Sequence, residues 1–167
     1  DATLPALVTG SHLDTVPTGG RYDGALGVIA GLEVMRCLND AEHQLRHPLE
    51  LVVFADEESP MVGCKGICGV ASADPADYTT SNGESIERNL AHLGGDWAHL
   101  SQARRTDQAI ASFVELHVEQ GVVLEQRQHT IGVVDGVWGQ RRLPIRLHGQ
   151  ATHAGTTQIG QTQESLV

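Results

Sequence analysis

The sequence predicts an α/β fold, and three features carry that expectation. An apolar run over residues 4–9 is followed by a glycine-rich loop over 10–24 and then by near-helical spacing of Leu26, Ile29, Val34 and Leu38. Leu49 to Ala55 is almost wholly apolar, the pattern of a strand covered on both faces. Strand and helix patterns alternate through the first hundred residues with no internal repeat, which is the order of an α/β sheet.

Each element follows from its residues. Residues 4–9 read as a short buried strand, and the helix from Ala25 to Leu38 ends at Asn39-Asp40. Beyond the strand at 49–55, Gly63, Gly66 and Gly69 predict short turns. Ser81, three residues before Glu84, forms a capping box for a helix that closes at Gly94-Gly95, with Ile86, Leu90 and Leu93 as its apolar stripe. The segment SFVELHVEQG alternates: Phe113, Glu115, His117 and Glu119 share one face, and Val114, Leu116 and Val118 share the other. A strand that turns Glu, His and Glu to one side is not burying that side as plain core. Two more strands are expected in IGVVDGVWG and LPIRLHGQ, residues 131–139 and 143–150.

At 167 residues the chain can hold one domain with a core, or one domain and part of another. Its composition, 40% hydrophobic and 19% charged, is that of a globular protein. A net charge of −10 argues against a nucleic-acid partner, which needs a basic stripe, and fits a protein that holds cations. No apolar run approaches the ~18 residues of a membrane span. The chain opens on Asp1 rather than Met, and QTQESLV carries no terminating signal, so a fragment cut at both ends is expected. Cys37, Cys64 and Cys68 form no C-x-x-C pair and are expected as buried thiols in a reducing cytoplasm. Trp97 and Trp138 are expected to pack, and His43, His47, His92, His99 and His129 to be solvated. There is neither a phosphate-binding glycine loop nor a G-x-S-x-G elbow.

The chemistry concentrates in four places. His12 and Asp14 stand two apart at a strand end, where the carboxylate can accept a hydrogen bond from the imidazole and improve its other nitrogen as a metal ligand. Asp23 follows a Gly19-Gly20 turn; the alternative is a helix N-cap. Asp56-Glu57-Glu58 ends the second strand, and ligands in open α/β sheets gather at the carboxyl ends of strands. The alternative there is a solvated acidic turn. Adjacent side chains diverge, so Glu58 can bind metal while Glu57 faces a water as general base. His117, on a charged strand face, is the fourth piece, with a hydrogen-bonded structural role as its alternative. Together His12, Asp23, Glu58 and His117 offer the mixed N/O ligands suited to zinc, manganese or cobalt. A carboxylate shared by two such cations would make a dinuclear hydrolytic centre.

The blocks GSHLDTVPTGGRYDGALGV, FADEES, ELHVEQGVVLE and GQATHAGTT resemble the signatures of the N-carbamoyl-L-amino-acid amidohydrolases. That group includes allantoate amidohydrolases and β-ureidopropionase-like enzymes, within the dinuclear aminoacylase and carboxypeptidase superfamily. The resemblance covers nearly the whole chain, in order. It implies a partial αβα catalytic domain over 1–138 and the first strands of an inserted α+β lid and dimerisation domain over 139–167. It implies two divalent ions (Zn, Mn or Co): His12 and His117 on one, Asp23 bridging, Glu58 on the other and Glu57 as base, with Asp14 supporting His12. It further implies that His153 reaches the substrate from the lid and that Gln120 lines the substrate pocket. His117 stands where peptidase relatives carry a carboxylate, which favours carbamoyl substrates. The implied protein is a cytoplasmic homodimer that releases ammonia and carbon dioxide from a small carbamoyl or ureido substrate, with neither nucleic acid nor membrane as partner. The alternatives are an aminoacylase or peptidase, or a truncated non-catalytic product. Two departures stand out. Thr156-Thr157 is followed by Gln158-Ile159 where the family has Pro and Met, and a further His ligand expected downstream lies beyond Val167.

Overall fold

The computed structural model describes residues 3–80, 83–139, 141, 143–146 and 148. The chain divides into two compact units, 1–123 and 124–167. In the first unit the elements run β1 (Ala6–His12), α1 (Ala25–Asp40), β2 (Leu49–Phe54), α2 (Val62–Cys68), α3 (Ile86–His92) and β3 (Ile110–Val114). Single turns of 3-10 helix cover Pro75–Asp77, and a longer one covers Trp97–Ala103. The sheet has the order β2-β1-β3 and both pairings are parallel. β1 is therefore central, and it carries most of the burial: Ala6 and Val8 are core, and Ser11 and His12 are buried at its end.

Packing of α1 on the sheet departs from the apolar stripe read in the sequence. The buried face is Gly27, Val28 and Gly31, whereas Ile29 is 60% exposed and Val34 50%. Close approach explains the inversion. A Cβ on Gly31 would lie 2.5 Å from Leu51 Cδ1, and one on Gly27 would lie 2.3 Å from the Leu116 carbonyl oxygen. Glycines let the helix backbone settle onto the strands, so the larger side chains face away.

The turns expected around Gly63, Gly66 and Gly69 are instead the helix α2. Gly63 sits against the backbone of Ala55, where a Cβ would lie 2.7 Å from the carbonyl oxygen, and Gly69 caps the helix with φ +71°. These glycines serve contact and termination rather than breaking the chain. α3 is capped by Ser85, whose Oγ accepts from the Arg88 N–H; Ser81 lies outside the described residues, and Glu84 precedes the cap. Closure at Gly94-Gly95 holds, with both N–H groups returned to Ala91 and Leu90 carbonyls.

β2 is an edge strand, with Val53 45% exposed, not a strand covered on both faces. β3 stops at Val114, so the alternating segment 113–119 pairs only at its start. The thiols are not buried either: Cys37 and Cys68 are exposed and Cys64 is half-buried. Trp97 does pack, edge-on to Tyr78 with its indole N–H on the Ala73 carbonyl. His47 is not simply solvated, since its Nδ1 bonds the Pro5 carbonyl at 2.8 Å.

In the second unit the described residues hold the end of a short helix, α4 (Val123–Gln126), and a turn in which the His129 N–H bonds the Leu124 carbonyl. Residues 131–139 pair in no ladder among the described residues, and Trp138 is 97% exposed rather than packed. The strand expected at 143–150 falls partly, and His153 wholly, outside the described residues. Among the described residues no helix is long and apolar enough to cross a membrane.

Candidate metal centre

The cluster begins at the carboxyl end of β1, where the central strand delivers His12 into the interior at 2% exposure. Gly24 makes room for it. A Cβ there would sit 2.5 Å from the imidazole Cε1 and Nδ1, and the residue holds φ +64°, a conformation glycine adopts freely. Gly24 is also the N-cap of α1, with no side-chain cap, so Asp23 is not the cap that its position permitted. Its carboxylate turns inward instead, 8% exposed, towards His12 and His117.

The second wall comes from β2. In the parallel register His12 pairs with Phe54, so the chain just past β2 reaches the site. Asp56 turns it with φ +59°, and Glu57 Oε2 comes to 3.7 Å from His12 Nε2. Asp14 ties the two strand ends together, since its Oδ2 accepts the Glu58 backbone N–H at 2.9 Å. This corrects the expectation that the Asp14 carboxylate orients His12. The imidazole Nδ1 bonds the Asp14 backbone carbonyl at 2.8 Å, while the nearer carboxylate oxygen stands at 3.8 Å. One carboxylate oxygen is engaged by Glu58 and the other, Oδ1, has no hydrogen-bond partner among the described residues, so the carbonyl does the orienting.

The third wall follows β3. Ser11, fully buried, donates from Oγ to Glu115 Oε1 and clamps the segment that carries His117 beside β1. His117 Nδ1 bonds the Val118 carbonyl at 2.8 Å. A carbonyl only accepts, so both histidines carry their proton on Nδ1, and in the neutral form both present an Nε2 lone pair. Those two nitrogens face each other at 3.4 Å. Asp23 Oδ1 lies 3.1 Å from one and 3.8 Å from the other, buried and without a hydrogen-bond partner. In that neutral form, three lone-pair donors converge. An orphaned buried carboxylate oxygen is costly, and a divalent cation answers all three donors. The donor set fits a borderline metal.

His12, Asp23 and His117 form one group with ligand atoms within 4.8 Å of one another, and His12, Glu57 and Glu58 form a second. Asp23 and Glu58 fall in different groups, joined through His12. Burial pushes the Glu57 carboxyl above its ordinary value; His12 opposes this, and Glu58, Asp14 and Glu115 add to it. Asp56 is raised in the same way, by burial and then by Asp14, with Lys65 opposing. His12, Asp14, Asp23, Glu57, Glu58, His117 and Gln120 therefore meet in one place. Sequence reasoning missed the Ser11–Glu115 clamp, for which the only signal was Glu115 sharing a face with His117. It also missed the bond from Gln120 to Asp23 at 2.6 Å, which no spacing announces.

Fold and site define an α/β protein with a candidate metal centre at the carboxyl ends of a parallel sheet. Residues 8–164 match the family model "Peptidase family M20/M25/M40", and the chain belongs to that family. It is 37% identical over 173 residues to an N-carbamoyl-L-amino-acid amidohydrolase of Paenarthrobacter aurescens, covering 100% of this chain and 42% of that protein. It is 37% identical over 166 residues to an allantoate amidohydrolase of Bacillus subtilis, covering 96% of this chain and 40% of that protein. Among solved structures, it resembles an amidase of the hydantoinase/carbamoylase family from Burkholderia multivorans, with TM-score 0.66 and 32% identity over 96% of this chain and 40% of the other. The chain thus spans about two fifths of the length of the relatives it matches.

Proposed function

We propose that these residues supply the metal centre of an amidohydrolase that cleaves the carbamoyl C–N bond of N-carbamoyl amino acids or of allantoate. The observation that carries the reading is the convergence of His12 Nε2, His117 Nε2 and Asp23 Oδ1 beside Glu57. The relatives' names supply the substrate class, and because the chain covers two fifths of their length, the activity is proposed for a protein of that length.

His12, His117 and Asp23 would hold one divalent ion, with Glu58 contributing to a second. Bound there, such ions polarise a carbonyl and acidify water. Glu57 takes the water proton on its carboxylate and returns it to the leaving nitrogen. Burial raises its affinity for protons, which favours a group that must hold the proton before returning it. The products are the free amine of the amino acid and a carbamate, which breaks down to ammonia and carbon dioxide. His153 is assigned to the substrate from a lid domain that starts at residue 139 and mediates a homodimer. Three free thiols support a reducing, cytoplasmic setting. An aminoacylase or peptidase activity is the second reading, favoured by the family's peptidase members.

The test pairs metal analysis with ammonia release from N-carbamoyl amino acids and from allantoate, supplemented with zinc, manganese or cobalt. We expect His117→Ala to weaken one metal of the pair by a factor of ten or more, on the order of losing a ligand contact. Unchanged metal stoichiometry and affinity would make His117 structural and remove the centre. Release of an amino acid from acylated or peptide substrates, without ammonia from carbamoyl ones, would favour the second reading.

A further inference from the structure

The bond from Gln120 to Asp23 gives Gln120 a task separate from any contact with substrate. Carboxylates accept only, so the amide nitrogen of Gln120 must be the atom that faces Asp23 Oδ2, at 2.6 Å. The backbone supports that aim. Gln120 has φ +56°, a left-handed conformation uncommon outside glycine, and it ends the extended segment that carries Glu115 and His117. With Oδ2 occupied, the other oxygen of Asp23 is the one left bare, and Oδ1 is the atom directed at the two histidine nitrogens. No other hydrogen bond to the Asp23 carboxylate is present among the described residues. Among the described residues Gln120 is the one hydrogen-bond donor to this carboxylate, and it holds Oδ2 while Oδ1 faces the histidines.

We propose that Gln120 is a positioning residue that presents Asp23 Oδ1 towards the ion that His12 and His117 would hold. The proposal rests on the metal-centre reading above. Oδ2 keeps a second lone pair beside the Gln120 N–H bond, so a second ion could share that oxygen while the amide stays in place.

The experiment titrates the full chain with cobalt(II), and with zinc in competition, before any substrate is added. Binding is followed by the cobalt absorption spectrum and by calorimetry. Four forms are compared: the parent chain, Gln120→Leu, Asp23→Asn and the double variant. Gln120→Leu keeps the side chain's bulk and deletes its donor. We expect it to weaken the first cobalt event ~10–100-fold, the range found when the partner of a ligand is removed. It should also alter the spectrum while leaving the circular dichroism of the metal-free chain unchanged. In the Asp23→Asn background the same change should produce no further loss, because Gln120 acts through that carboxylate. Equal affinity for parent and Gln120→Leu would overturn the proposal, as would an equal loss in both backgrounds. Failure of the parent chain to bind cobalt at all would instead strike the metal-centre reading, so the two failures are distinct. If Gln120→Leu disturbs the metal-free spectrum, Gln120→Ala replaces it in the same cycle, with the same deciding comparison.

Discussion

Glu57 and Glu58 are neighbours in sequence, yet their surroundings set them apart. Glu58 is fixed through its backbone N–H on Asp14, and Glu57 extends its carboxylate towards His12. A general base needs reach and a proton affinity above that of an ordinary carboxylate. Partial burial among Glu58, Asp14 and Glu115 gives Glu57 that affinity. We therefore expect Glu57→Gln to retain metal and to lose at least ~10²-fold in turnover, the scale of general-base catalysis. Metal analysis alongside ammonia release, in a protein of the relatives' length, checks both halves. A variant that lost its metal as well would make Glu57 a ligand. Residue types at this site were legible in the sequence, because His, Asp and Glu at strand ends are unlike plain core. Which atoms meet was not legible. The orientation of His12 comes from a backbone carbonyl of Asp14, and that of Asp23 from an amide 97 residues away.

At the scale of elements, β2 is tied to the segment before β3 by a forked ion pair. The Arg105 guanidinium donates to both oxygens of Glu50, at 2.8 and 3.2 Å, and holds that carboxyl below its ordinary value. The folded value is depressed, so the stabilisation is present above the unfolded value and lost as the pH falls through the folded one. Both side chains are more than a third exposed, which limits the pair to ~0.2–1 kcal/mol. Glu50→Gln should therefore lower the unfolding free energy measured in urea at pH 7 by that modest amount. The difference should begin to shrink as the pH falls below the ordinary 4.5 of Glu50 and vanish only once it is below the depressed folded value. A difference that persists in acid would mean that packing, not charge, is lost. The order of strands and helices was readable from periodicity over the first hundred residues. α2 was not, because Gly63 and Gly66 look like breakers until the neighbouring Ala55 and Leu100 are in place. The buried face of α1 was misjudged for the same reason: glycine signals contact only when the opposing surface is known.

For the molecule as a whole, β1 lies between a strand from the middle of the first unit and one from near its end, and the sheet brings together residues far apart in the chain. Helix and strand packing supplies only part of what keeps those distant segments joined, since β3 is largely exposed. His12 and His117 are 105 residues apart in sequence and 3.4 Å apart at their ring nitrogens. A cation between them closes that long loop, and a link of this kind removes more freedom from the unfolded chain than one joining near neighbours. Metal affinity and folding are then one equilibrium. At a free ion concentration of ~100 times Kd the folded state gains ~2.7 kcal/mol, so the thermal midpoint of the parent chain should climb with cobalt or zinc. In His117→Ala a tenfold loss of affinity should cut that gain to about half at the same ion concentration. The centre would then act as a reversible cross-link, fastening the third strand to the first as firmly as the cation supply allows.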